Sequence, residues 1–184
     1  MKKFLVLALA FVLALTLVAC GGKSDPADGA ASTADDTSTS SPVESPEAIA
    51  ELTPSITPAA GWEKDEASVN LRYKNSEGAL MEFSTDTMPA DAATADEYVA
   101  FTQDKFKQSF ADATFSATTK SQVGGMDAVE FGFTTVVSSM ELHFRIVYIC
   151  KDGSAYTITC SAPGAAFDGA QADFQSMIDS YTLQ

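Results

Sequence analysis

The chain has 184 residues, with 25 Asp and Glu against 11 Lys and Arg and a formal net charge of −14. Loss of residues 1–19 would remove Lys2 and Lys3 but no acid, moving the charge to −16. No basic stripe is present to neutralise phosphates, which excludes nucleic-acid binding, and nothing draws the body of the protein electrostatically onto anionic headgroups.

In chain order, the first feature is Met1-Lys2-Lys3, two positive charges ahead of an apolar run over residues 4–19 broken only by Thr16. That layout is an export signal, and the run falls short of the ~20 residues that span a bilayer comfortably. It ends in Leu17-Val18-Ala19-Cys20, which resembles the bacterial lipobox. The resemblance implies cleavage between Ala19 and Cys20 and a thioether-linked diacylglycerol on the Cys20 sulfur, with palmitate-type acyl chains. Small neighbours, Gly21 and Gly22, leave that thiol accessible. Two or more chains hold a protein stably on a membrane, at ~0.8 kcal/mol per buried methylene. The expected address is the extracytoplasmic face of a cell membrane, with the lipid on Cys20 as the membrane partner.

Residues 20–60 read as the lipidated cysteine and a disordered stalk rich in Ser, Thr, Ala, Asp and Pro, too poor in large apolar residues to offset its ordering entropy. Pro46, Pro54 and Pro58 confine any helical turn there. Residues 61–184 form a normal single-domain length.

Within that domain, residues 68–74 and 79–85 alternate around Asn75-Ser76-Glu77-Gly78 and predict a hairpin with Val69, Leu71 and Tyr73 on one face. Thr94-Ala95-Asp96-Glu97 is a capping box, and the helix it opens carries Tyr98, Val99, Phe101, Phe106 and Phe110 on one broad apolar face. Residues 114–123, 128–137, 141–150 and 155–161 predict a four-stranded antiparallel meander with turns at Gly124-Gly125 and Asp152-Gly153. Pro163-Gly164 breaks the last strand. Phe167, Ala170, Phe174, Met177, Ile178 and Tyr181 then recur at helical spacing. The order ββαββββα predicts an α+β domain, an antiparallel sheet of about six strands packed with two long helices.

Cys150 and Cys160 fall on one hairpin. If Cys150 pairs near Ala155 or Tyr156, the two sulfurs are separated by several rungs at ~3.3 Å each, beyond the ~7 Å reach of bridged Cα atoms, and both thiols stay free.

These residues resemble the Mog1/PsbP-like fold, and in particular its PsbP-related and DcrB-like bacterial lipoproteins. The resemblance rests on Gly61-Trp62, Thr94 to Tyr98, Gly125-Met126-Asp127-Ala128, Gly153 to Cys160 and the helix ending Ser180-Tyr181. Tyr181 stands where the family often has Phe. These are packing and turn residues, so the resemblance implies a noncatalytic, protein-associating domain without naming its partner.

The residues able to carry chemistry agree with that implication. His143 is the one histidine and belongs on the less buried strand face beside Arg145, with no nucleophile to activate. One histidine and two separated thiols do not assemble a zinc site. Asp86, Asp91, Asp96 and Glu97 match no calcium loop and read as caps and surface. Asp112, Asp127 and Glu130 form no acid–base pair. Gly124-Gly125 is a turn and not a phosphate loop, and Trp62 reads as a lid on the core. No catalytic, metal or cofactor-binding residue is expected and the chain is not read as an enzyme. The expected role is to bind or support an unidentified envelope protein. The alternatives are a module for a small molecule or lipid, marked by an apolar cavity, and an unrecognised enzyme, marked by convergent perturbed groups.

Overall fold

The computed structural model describes residues 52–184. Ala19, Cys20 and the part of the expected stalk up to residue 51 lie outside the described residues. The chain enters through β1 (Pro54–Ser55), β2 (Glu63–Lys64), β3 (Leu71–Lys74) and β4 (Leu80–Thr87), then forms helix α1 (Ala95–Ser109). β5 (Thr114–Phe115), β6 (Thr119–Val123), β7 (Met126–Val137), β8 (Met140–Lys151) and β9 (Ser154–Pro163) follow. Helix α2 (Gly164–Asp179) and β10 (Thr182–Leu183) complete the order.

An antiparallel sheet runs β2-β3-β4-β9-β8-β7-β5, with β6 also on β7. The α+β class and the meander are as expected. The sheet has eight strands because β2 adds a short edge and residues 114–123 divide in two. The division has a local cause. Phe115 pairs with Phe133 and Thr119 with Glu130, so four steps on one strand face three on the other. This bulge flips the alternation, and Ser116 fills it: its N–H donates to the Gly132 carbonyl (2.9 Å) and its Oγ accepts from the Gly132 N–H (2.8 Å). Gly132 is required there, since a Cβ would lie 2.9 Å from the Phe144 carbonyl oxygen.

Two-residue turns join the long strands. Gly124 and Gly125, Ser138 and Ser139, and Asp152 and Gly153 all have positive φ, the twist that matches antiparallel strands. Thr94 caps α1 as expected: its hydroxyl accepts from the Glu97 N–H (3.3 Å), and the Glu97 carboxylate accepts from the Thr94 N–H (3.0 Å). Pro163 ends β9 and Gly164 begins α2.

Alternation along β8 sends Val147 and Ile149 to one face, where they meet Met81, Ile158, Phe174 and Met177 in the main core under α2. It sends Phe144, Ile146 and Tyr148 to the other face, under α1. Trp62 closes the α2 core, 7% exposed, its ring edge on Phe174 (centroids 5.4 Å) and its Nε1 donating to Asp173 Oδ2 (2.8 Å).

Two sequence expectations are corrected. Val69 is fully exposed, because β3 begins only at Leu71 and residues 68–70 bend away from the sheet. Residues 52–60, assigned to the stalk by composition, belong to the domain. β1 pairs with β10, with Thr53 N–H donating to Gln184 O (2.8 Å) and Gln184 N–H to Thr53 O (3.1 Å). Thr57 N–H donates to Ser180 Oγ (3.0 Å), and Leu52, Ile56, Ala59 and Leu183 pack on the core. The prolines that argue against a helix here are compatible with a short edge strand.

A chain trimmed to begin at residue 52 is expected to keep the full stability of the domain, whereas one beginning at residue 61 loses about 2–4 kcal/mol from this strap. Urea unfolding of the two measures the difference; equal midpoints would return residues 52–60 to the stalk.

Candidate functional site

The two faces of the sheet differ in what holds the helix on them. α2 sits on a dense apolar core reinforced by Trp62–Asp173 and by Arg145 Nη1 donating to Gln175 Oε1 (3.0 Å). The face under α1 is aromatic. Phe131 and Phe133 of β7 and Phe144 and Tyr148 of β8 form its floor, Phe115 of β5 its rim, and Tyr98, Phe106 and Phe110 its roof. Tyr98 and Val99 are buried as expected. Phe101, Phe106, Phe110 and Phe115 remain only half-buried, a departure from the continuous apolar face that spacing alone predicts.

Several groups with shifted protonation converge where α1 begins. Burial pushes the Tyr98 hydroxyl up to about 12, with the Asp86 charge adding to it. Tyr148 is raised further, by burial first, with the neighbouring Thr102 hydroxyl opposing the shift. Burial raises Asp86 and pushes the Cys150 thiol up to about 11. All four are shifted toward their neutral forms, so the cluster holds no activated thiolate at neutral pH.

The other sequence candidates are dispersed. Cys160 lies in the core under α2, its thiol pushed up to about 12 by burial. It pairs with Arg145 while Cys150 pairs with Ala155, five rungs away and on the opposite face, so both are free thiols. His143 is on the same face as Arg145, its Nε2 2.8 Å from Glu141 Oε1 and its ring against Phe167 (5.5 Å). Glu130 pairs with Arg145 (2.8 Å) and Asp96 with Lys120 (2.7 Å). Glu97 serves the α1 cap, and its carboxyl is lowered chiefly by the Thr94 hydroxyl. Asp91, Asp112 and Asp127 are exposed. Among the described residues, no group of three or more His, Cys, Asp or Glu is placed to share a metal ion, and no helix is long and apolar enough to cross a membrane.

Sequence reading missed a charged network on the outer strands. Arg72 lies between Glu82, which it contacts directly, and Asp65 (3.6 Å), while Lys74 Nζ reaches Asp65 Oδ1 (3.0 Å) and Asn70 Nδ2 donates to Glu82 Oε1 (3.1 Å). Arg72, Asp65 and Glu82 are about 15% exposed. Arg72 and Glu82 sit opposite each other in the β3–β4 register, which was the available signal. The network neutralises itself and presents no spare charge of either sign.

No protein-family model matches this chain, and neither does any curated protein sequence. Among solved structures the domain is similar to a Pseudomonas aeruginosa protein of unknown function, at 18% identity and a TM-score of 0.52 over 75% of this chain and 88% of that one. It is similar to cyanobacterial PsbP from Synechocystis sp. PCC 6803, at 12% identity and 0.50 over 78% and 100%. It is also similar to LpqN, described as involved in cell envelope biogenesis in Mycobacterium tuberculosis, at 11% and 0.52 over 76% and 87%. At such identities the likeness establishes the fold alone, a PsbP-like α+β fold.

The raised Asp86 and the lowered Asp65 link stability to pH with opposite signs. Asp86 contributes stability that is complete below the ordinary carboxylate range and lost as pH rises through its raised folded value. Asp65, lowered chiefly by its hydrogen bond with Lys74, contributes stability present above that range and lost as pH falls through its lowered value. Asp86→Asn is therefore expected to raise the thermal midpoint at pH 7 by about 2 °C and Asp65→Asn to lower it. A scan showing both shifts in the same direction would contradict these assignments. Thiol labelling of denatured, unreduced protein is expected to find Cys150 and Cys160 both free; neither reacting would show a bridge.

Proposed function

We propose that this protein is a lipid-anchored accessory protein of the cell envelope: a noncatalytic α+β domain held at the extracytoplasmic face through Cys20 and engaged with another envelope protein. The observation that carries the noncatalytic part is the state of the possible nucleophiles. Both thiols are pushed toward the protonated form by burial. The single histidine contacts Glu141 and Phe167, and Cys150 lies on the far side of the sheet from it. A nucleophile needs a base within hydrogen-bond reach.

Two further points support the accessory reading. LpqN, of similar fold, is described as involved in envelope biogenesis, and PsbP shares the architecture. The geometry of entry also suits a tether. Leu52 joins the domain beside β10, at the end of α2 where Tyr181 packs on Phe83 and on the Gly124 turn. The β7–β8 turn and the start of α2, next to His143, lie at the other end of the sheet from Leu52.

The anchor is tested by Cys20→Ser. The variant is expected to accumulate as unprocessed precursor without acyl chains, while the native chain begins at acylated Cys20 by intact mass. Normal processing and membrane retention of the variant would refute the anchor. The accessory role is tested by cross-linking in intact cells: a discrete protein adduct that depends on Cys20 supports it, and adducts identical with and without the anchor oppose it.

A further inference from the structure

We infer that the open side of β4 and β9, beside α1, binds a linear neutral oligosaccharide through a row of hydroxyls, Thr157, Thr159 and Ser161 on β9 with Ser84 on β4. This binding goes beyond the accessory role and does not depend on it.

The first observation is what α1 leaves uncovered. α1 packs over β7 and β8, and its Gln103 Nε2 donates to Thr118 Oγ1 (3.3 Å) on the side of β5 and β6. At about 100° per residue, Phe101 and Lys105 project from the opposite flank, with Lys105 Nζ 4.3 Å from the Phe101 ring centroid. That flank borders β9 and β4, the next strands in the sheet. Across the register Tyr148, Thr157 and Ser84 stand in line, as do Ile146, Thr159 and Glu82, and Phe144, Ser161 and Leu80. All of them share the α1 side of the sheet. Both β4 and β9 are interior strands, yet Leu80, Ser84 and Thr159 stay part-exposed, so no layer of the described residues seals them. Arg72, in contact with Glu82, marks the far limit of this open face.

The second observation is the state of the hydroxyls. Thr157 is 8% exposed and Ser161 5%, and neither hydroxyl is engaged by another of the described residues. No buried polar side-chain atom among those residues is sealed away without a partner, so both oxygens reach the open face. Each can donate and accept there.

The third observation is what this surface matches. An apolar chain laid on the row would leave the hydroxyls desolvated and unpaired. A peptide strand adds to a free sheet edge, whereas the backbones of β4 and β9 are paired on both sides. Arg72 and Lys74 are balanced by Glu82 and Asp65, and the other charges bordering the row are Lys105 and Asp86, one of each sign. In a chain of net charge −14, a face without excess charge complements a neutral ligand. Sugar hydroxyls donate and accept as those of Ser and Thr do, and the C–H face of a ring can lie on Phe101. From Thr157 to Ser161 the row runs about 13 Å, room for two or three rings in line.

The test titrates the full chain, in zwitterionic detergent, with maltotriose, cellotriose, mannotriose and N-acetylchitotriose, and follows isotope-labelled threonine methyl groups by NMR. At least one sugar is expected to give saturable shifts at Thr157 and Thr159 while Thr118 and Thr134 stay still. Thr159→Val, which keeps the shape and removes the hydroxyl, should weaken that binding about fivefold, and Ser84→Ala on the neighbouring strand should weaken it likewise. Unmoved Thr118 and Thr134 signals in each variant check that the fold is kept. Trigalacturonate, a charged trisaccharide, should not compete. No saturable shift at Thr157 or Thr159 with any of the four sugars, native affinity in both variants, or equal binding of trigalacturonate would each overturn the proposal. None of these results bears on anchoring or partner cross-linking.

Discussion

The constraint on which the structure depends is the strict alternation of side chains along β8. This 12-residue strand lies between β9 and β7, so every residue on it must suit one face or the other. Val147 and Ile149 are completely buried in the mixed aliphatic and aromatic core under α2, and Phe144, Ile146 and Tyr148 on the alternate positions are committed to α1. A slip of one residue would exchange Val147 and Ile149 for Phe144, Ile146 and Tyr148 beneath both helices, so the register is fixed by packing on both sides.

The consequence is a domain with two unlike halves. On the α2 side, Val147, Ile149 and Ile158 pack with Phe83, Phe174 and Tyr181, Trp62 seals the edge and the residues 52–60 strap crosses to β10, so chain entry and the last helix are bound into one unit. On the α1 side, rings pack on rings, several remain half-buried and the polar contacts are peripheral. Local opening is therefore expected to begin in the second half.

Local signals were readable from the sequence wherever the physics is local. Thr94 and Glu97 satisfy each other's backbone groups three residues apart, Asp152-Gly153 sets a two-residue turn, and Pro163-Gly164 both ends a strand and starts a helix. What stayed hidden depends on distant partners. Thr114 to Val123 has uniform strand propensity, and only its pairing across Gly132 shows where the bulge falls. Leu52 and Ile56 sit among prolines that read as a linker, and only β10 and α2, more than 100 residues later, make them part of a core. Phe106 and Phe110 have helical spacing whether they are sealed or half-open, so the character of the candidate site was not legible from periodicity. Cys20 is the reverse case, an expectation that rests on its motif alone and lies outside the described residues.

α1 and α2 are expected to be held with different strength. Native-state hydrogen exchange measures this directly. Amides of α1 from Tyr98 to Ser109 are expected to exchange through a local opening well below the global unfolding free energy, while those of α2 from Phe167 to Asp179 exchange only with global unfolding. Equal protection of the two helices would contradict the account.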